Sequence, residues 1–350
     1  MFHQIRINAQ DQQAQRFLWR PESSTEPEIY VMDVATFGSS CSPASAQYVK
    51  NKNAKDFETT HPRAVEGIIR CHYVDDYVDS FRTAAEAALV AREIIEIHAK
   101  GGFNIRDWRS NSKAVLDMLC KKSTSHPKTL KPESSETSDR VLGMHWLPDE
   151  DVLGYSTALA PELQQIILKR RRPTKREILR CLMSFFDPLG LLSAFVLHGK
   201  ILLQDVWRAG TQWDEAIGDD EFKKWLRWTE EFPHIADLQI PRCYFDDVDY
   251  SGIELHIFVD ASEEACAAAA YFRIPKVSGD YVCALIAAKT KVAPLKHWSV
   301  PRLELHAAVM GTRLKQFIVG GHTFSIKRWV FWSDSSTVLA WIRSDHRRYT

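Results

Sequence analysis

Two sets of carboxylates in this sequence have the types and spacing to do chemistry. In the first, Asp75 and Asp76 stand side by side between Cys71-His72-Tyr73-Val74 and Tyr77-Val78. The apolar residues on either side read as a β-hairpin over 65–80, which puts both acids at or near its tip. Adjacent carboxylates repel unless a cation offsets them. A hard divalent ion, Mg²⁺ or Mn²⁺, is the natural partner, because it takes carboxylate oxygens and shares its shell with substrate phosphates. Asp219-Asp220 and Asp246-Asp247 lack strand-like flanks and read as polar turns. The second set is Asp260, Glu304 and Asp334. Asp260 ends the alternating run Ile253–Asp260, Glu304 lies in a helix opening at Pro301, and Asp334 follows the strand 328–332. Singly, Glu304 could be a solvated first-turn acid and Asp334 a helix cap.

These acids need elements to hold them. Phe17–Trp19 and Ile29–Val34 read as strands, and Pro43–Lys50 opens a helix after the turn-rich 38–43. Residues 83–99 carry apolar side chains at helical spacing and stop at Gly101-Gly102. The polar stretch 121–140, rich in Ser, Thr and Pro, is a linker. Thr174 with Glu177 makes a capping box for a helix that ends at the turn Asp187-Pro188-Leu189-Gly190. A Trp-rich helix follows at 221–231. From 253 come three strands, a helix from Pro301, a strand at 329–332 and a helix from Ser335.

The chain has 350 residues, 45% hydrophobic and 26% charged, with 45 basic residues against 45 acidic ones. That is the balance of globular domains; it excludes a disordered or collagenous chain and one that grips nucleic acid by bulk charge alone. No apolar run reaches the roughly 18 residues of a membrane span, so no membrane partner is expected. The seven cysteines are dispersed without a CxxC pair, and the N-terminus is no signal peptide. An intracellular location, cytoplasmic or nuclear and not secreted, is expected. Both ends look cut into, as if the chain were an excerpt.

Tyr-Val-Asp-Asp in a hairpin resembles the catalytic motif of reverse transcriptases. The neighbours agree in order. Phe37-Gly38-Ser39-Ser40-Cys41-Ser42-Pro43 is similar to the segment beside template and incoming nucleotide. Gly101–Trp108 and Leu142–Trp146 resemble the motifs that follow in retrotransposon polymerases. The resemblance implies that Phe2 excludes the ribose 2′-OH, that Gly38 and Ser42 lie at the nucleotide, and that Asp75 and Asp76 are catalytic, Asp75 binding metal. It also places the first metal-binding Asp five positions before Phe2, ahead of Met1, so primer extension by the chain alone is not expected. Strand Asp260, hairpin, third strand, helix Glu304, strand and Asp334-Ser335 before a helix resemble ribonuclease H. There the three carboxylates bind Mg²⁺ or Mn²⁺ and hydrolyse RNA in a hybrid, with a fourth acid expected beyond Thr350. Asp345 and His346 are too near Asp334 to supply it.

The order of these motifs, with Phe185–Ser193, Trp207 and Trp213-Asp214-Glu215 between them, resembles the pol polyprotein of BEL/Pao-class LTR retrotransposons. The implied fold is multidomain α+β and α/β: a partial reverse-transcriptase palm over 1–120, the linker 121–140, a mainly helical thumb or connection over 141–250, and a partial ribonuclease H-like mixed sheet with helices over 251–350. The implied partners are RNA template, DNA primer and RNA–DNA hybrid, with dNTPs if the upstream segment is present. Seven Lys/Arg and one Glu lie between Lys169 and Arg180. Lys169, Arg170, Arg171, Arg172, Lys175 and Arg176 are therefore candidates for phosphate contacts, which are independent of base sequence. Two other readings stand beside this one. The folds could persist as a non-catalytic nucleic-acid-binding scaffold. The middle region could be a Pao-type aspartic peptidase, although its nearest approach to Asp-Ser-Gly is Asp249-Tyr250-Ser251-Gly252.

Overall fold

The computed structural model describes all residues except 23–25, 106, 121–138, 142–143, 156–158, 169–170, 246–251, 277–278 and 345–350. Most of the expected linker, Lys169, Arg170, Asp246-Asp247, the Asp249–Ser251 part of the peptidase-like tetrapeptide, Asp345 and His346 thus lie outside the described residues, as do Arg106 and Leu142-Gly143 of the motifs. Contacts divide the chain into two compact units, Met1–Thr137 with Pro148–Glu150, and Ser138–Leu147 with Asp151–Thr350.

The first unit contains α1 (Ala9–Gln12), β1 (Arg16–Trp19), β2 (Glu28–Val31), α2 (Ser42–Lys55), α3 (Pro62–Arg70), β3 (His72–Tyr73), β4 (Asp76–Tyr77), α4 (Ala84–Lys100) and α5 (Lys113–Cys120). The expected hairpin over 65–80 is shorter than the sequence suggested. Pro62 at the first helical turn starts α3, and Ala64, Val65 and Ile68 form its buried stripe. Only His72–Tyr77 remains as hairpin, with Tyr73 opposite Asp76. Ala54, Ala64, Val65, Ile68, Val90, Ile94 and Ile97 make the core in which α2, α3 and α4 meet. Thr83 caps α4 by accepting from the Glu86 amide.

The second unit contains β5 (Asp139–Val141), β6 (Met144–Leu147), β7 (Val152–Gly154), α6 (Pro161–Ile167), α7 (Lys175–Met183), α8 (Ser193–Arg208), α9 (Asp219–Glu230), β8 (Ile240–Pro241), β9 (Glu254–Ala261), β10 (Ala265–Pro275), β11 (Tyr281–Val292), α10 (Val300–Gly321), β12 (Arg328–Trp332) and α11 (Ser336–Arg343). Strands β5 to β8 form one antiparallel sheet. The larger sheet has the order β11-β10-β9-β12, antiparallel except that β12 runs parallel to β9. Leu255, Ile257 and Val259 alternate into the core and meet Leu303, Ala307, Leu314 and Ile318, which recur along one face of α10. Gly311 lies at the closest crossing, where an added Cβ would stand 2.6 Å from a Val259 methyl.

A second core, centred on the fully buried Trp225, packs α6 to α9 together. No contact boundary falls at the expected junction near 250. The turn before α8 reaches the large sheet directly: the Ala288 amide donates to the Leu189 carbonyl at 2.8 Å, and Gln204 of α8 donates to the Ala293 carbonyl. Asp187 shapes that turn. Its carboxylate accepts from the Tyr155 hydroxyl and from the amides of Leu191 and Leu192.

Candidate functional site

The parallel pairing of β9 and β12 brings the second set of acids to one end of the sheet. The last register pair is Phe258 with Trp332. Asp260 and Asp334 each lie two residues beyond it, at the same end of these two adjoining segments. Glu304 reaches the same end from α10: its Oε2 accepts a short hydrogen bond from the Ser335 hydroxyl, one residue past Asp334. Ser335 is buried and also caps α11 by accepting from the Val338 amide. The cap role considered for Asp334 therefore belongs to Ser335, which leaves Asp334 in the bend between strand and helix. Glu304 is not a first-turn acid, since α10 begins at Val300.

Three carboxylates are the donor set a hard divalent cation takes, so the chemistry of the site fits Mg²⁺. The side chains are turned to partners of their own, Asp260 to the Ala261 amide at 2.7 Å and Glu304 to Ser335. Among the described residues no group of three or more His, Cys, Asp or Glu side chains is gathered to hold a metal ion. Beside the acids, on the sheet face away from α10, Phe258 and Trp332 stack with ring centroids 5.9 Å apart, and both are exposed. His256 continues that stack and accepts from the Trp332 indole N–H.

In the first unit, Asp75 is the second of two loop residues in the short hairpin and Asp76 opens β4; both are exposed. Val74, the first loop residue, has φ 52°, at a place where hairpins prefer glycine. Beneath the hairpin lies a polar cluster that the sequence did not announce. Lys50, His72 and His98 are buried, and the His98 ring stands against His72 with nitrogens 3.3 Å apart. Burial, with the Lys50 and His98 charges nearby, pushes His72 down to about 3; burial and Lys50 push His98 down to about 4. Burial alone pulls Lys50 down to about 8.

The two histidines should make the first unit lose stability in acid. Their folded pKa values lie below the unfolded value of about 6.5, so the stability they contribute is complete above that pH. It is lost as pH falls from there toward 4 and 3. Melting the protein at a series of pH values should show the first unit losing stability below pH 6.5. His98→Phe should flatten that loss, and an unchanged slope would contradict the assignment.

Phe2 and Gly38 are brought together through Phe37, whose exposed ring meets Phe2 edge-on at 4.9 Å. Gly38 has φ 91° and Ser42 is buried at the start of α2, lining a cavity of about 530 Å³ with Ser39, Cys41 and Tyr48.

The described candidate cations of the basic stretch are engaged within the chain. Arg171 pairs with Glu177, Arg172 with Asp219, and Arg176 with Asp214. Lys175 is buried, its ammonium 4.1 Å from the centre of the Trp207 ring. The buried ammonium gains a cation–π contact there, in the wall of the helical core. In this arrangement Lys175 is occupied by Trp207, and the three arginines would meet phosphate only in competition with their own carboxylates.

Among the described residues no helix is long and apolar enough to cross a membrane. No curated protein matches the chain. A family model described as the Pao retrotransposon-like RNaseH-like domain matches residues 174–335, from the capping threonine of α7 to the serine that holds Glu304. That segment, helices and sheet together, is similar to the ribonuclease H-like region of Pao-type retrotransposons.

Proposed function

We propose that the second unit acts on RNA–DNA hybrids as a ribonuclease H, with Asp260, Glu304 and Asp334 as its catalytic carboxylates and metal ligands. The observation that supports this reading is that the strand register and the Ser335–Glu304 bond put the three residues at the same end of the β9–β12 pair, within a segment similar to a ribonuclease H-like domain. Divalent ions bound there would activate water and neutralise charge at the scissile phosphate. The chain's own work is positional. Ser335 fixes the Glu304 carboxylate while capping α11, and Gly311 lets α10 sit close enough to β9 for Glu304 and Asp260 to serve one end of the sheet.

The test is cleavage of the RNA strand of a labelled RNA–DNA hybrid in Mg²⁺ or Mn²⁺, with Asp260→Asn as the control. Metal-dependent cutting of the hybrid, but not of duplex DNA, that disappears in the variant is the expected result. Binding of the hybrid without any cutting would replace this reading with the non-catalytic scaffold.

A second reading concerns the first unit. Its Asp75–Asp76 hairpin, with Phe2 gathered to Gly38 through Phe37, supports a role as part of an RNA-directed DNA polymerase palm. Template, primer and dNTPs would be its ligands, with Asp75 contributing to metal binding.

A further inference from the structure

The hairpin that carries Asp75 and Asp76 is too short to hold itself. Each strand is two residues long, and its loop contains a β-branched residue at positive φ. A two-stranded hairpin is marginal in water even when much longer, and two adjacent acids add repulsion. Something outside the hairpin must fix it.

Helix α2 supplies that support from two positions one turn apart. Gln47 grips the first strand and the loop at once: its amide nitrogen donates to the His72 carbonyl at 3.0 Å, and its amide oxygen accepts from the Val74 N–H at 3.3 Å. Lys50 donates to the same His72 carbonyl at 2.7 Å and to the Ile68 carbonyl, at the end of α3, at 3.0 Å. A fully buried lysine is rarely retained without partners that use its donors. Here those partners are main-chain oxygens of the segment leading into the acids.

We propose that Gln47 and Lys50 are positioning residues for the Asp75–Asp76 hairpin, holding its backbone so that Asp75 is presented to a divalent ion. Gln47 sets the loop, because it bonds the His72 carbonyl and the Val74 N–H, on either side of Tyr73. Lys50 sets the base, because it ties the hairpin to the end of α3. This inference rests on the palm reading of the first unit, but the clamp and the metal site can fail separately.

The experiment uses the whole chain and two readouts. The first is amide hydrogen exchange over 72–78 in the wild type, Gln47→Leu and Lys50→Met. The second is Mn²⁺ binding followed by electron paramagnetic resonance. It is done in a Glu304→Gln background, which weakens the other candidate metal site, with Asp75→Asn for comparison. Each variant should speed exchange over 72–78 by about tenfold, as expected for losing one or two buried hydrogen bonds, with little change over 84–100. Each should also weaken the Mn²⁺ site that Asp75→Asn abolishes. Lys50→Met keeps the length and removes a buried charge, so it stays folded if Gln47→Leu does not. Unchanged exchange over 72–78 in a folded variant overturns the clamp. Faster exchange with Mn²⁺ binding indifferent to Asp75→Asn keeps the clamp as a structural device, but overturns its positioning role and the palm reading with it.

Discussion

Gly190→Ala should lower the melting temperature of the second unit by roughly 10 °C, since about 3 to 4 kcal/mol shifts a domain of this size by a few degrees per kcal/mol. Two terms add. Gly190 has φ 76°, a conformation that costs an L-residue about 1–2 kcal/mol. The added Cβ would also stand 1.9 Å from the Ala288 carbonyl oxygen, which is sheet backbone and cannot swing aside. Relieving the overlap means parting the turn from β11, which breaks the Ala288–Leu189 hydrogen bond and exposes a buried donor at about 1–3 kcal/mol. Gly210→Ala separates the two terms. Gly210 has φ 74° but nothing within 4 Å of its missing Cβ, so it should show the conformational cost alone. Equal shifts for the two variants in thermal melts would mean that the turn does not dock on the sheet in solution.

That docking also accounts for the extent of the family match. A segment limited to the sheet would begin near Glu254, yet the match begins at Thr174. Helices α7 to α9 belong with the sheet because Leu189, Gly190 and Gln204 fasten them to β11 and its end. The resemblance implied a boundary near 250, where the pattern changes to alternating strands, and sequence could not show otherwise since the fastening contacts join residues about a hundred positions apart.

Features whose partners are close in sequence were legible. The capping box of Thr174 and Glu177 forms as expected, because it needs only four consecutive residues. The inward alternation of Leu255, Ile257 and Val259 reports the sheet face directly. Long-range partners were not legible. Arg172 and Arg176 look like free cations in a basic run, but their carboxylates lie 47 and 38 residues downstream. Lys50 was legible only as part of the helix that opens at Pro43, since its burial depends on carbonyls 18 and 22 residues away. Ser335 read as part of an acid-serine motif, and its grip on Glu304 follows from α10 crossing β9, which no local pattern encodes.

Glu304→Gln should reduce hybrid cleavage by roughly 10³-fold or more if Glu304 holds an ion in the reaction, because an ion held there would supply both the nucleophile and the charge neutralisation. Ser335→Ala should cost less, about 10- to 100-fold in the Mg²⁺ concentration needed for half activity, which is the usual effect of removing a group that orients a ligand. The two variants differ in what excess metal can restore. Serine loss leaves the carboxylate present but free to rotate, so high Mg²⁺ should bring much of the rate back. Glutamine cannot supply the missing charge at any concentration. Ser335 also caps α11, and losing the cap costs about 1 kcal/mol. Ser335→Thr keeps both the cap and the hydroxyl donor, and should retain the wild-type metal dependence. If Ser335→Ala and Ser335→Thr shift the Mg²⁺ requirement equally, the hydroxyl does not position Glu304, and the short contact serves only to anchor α11 against α10.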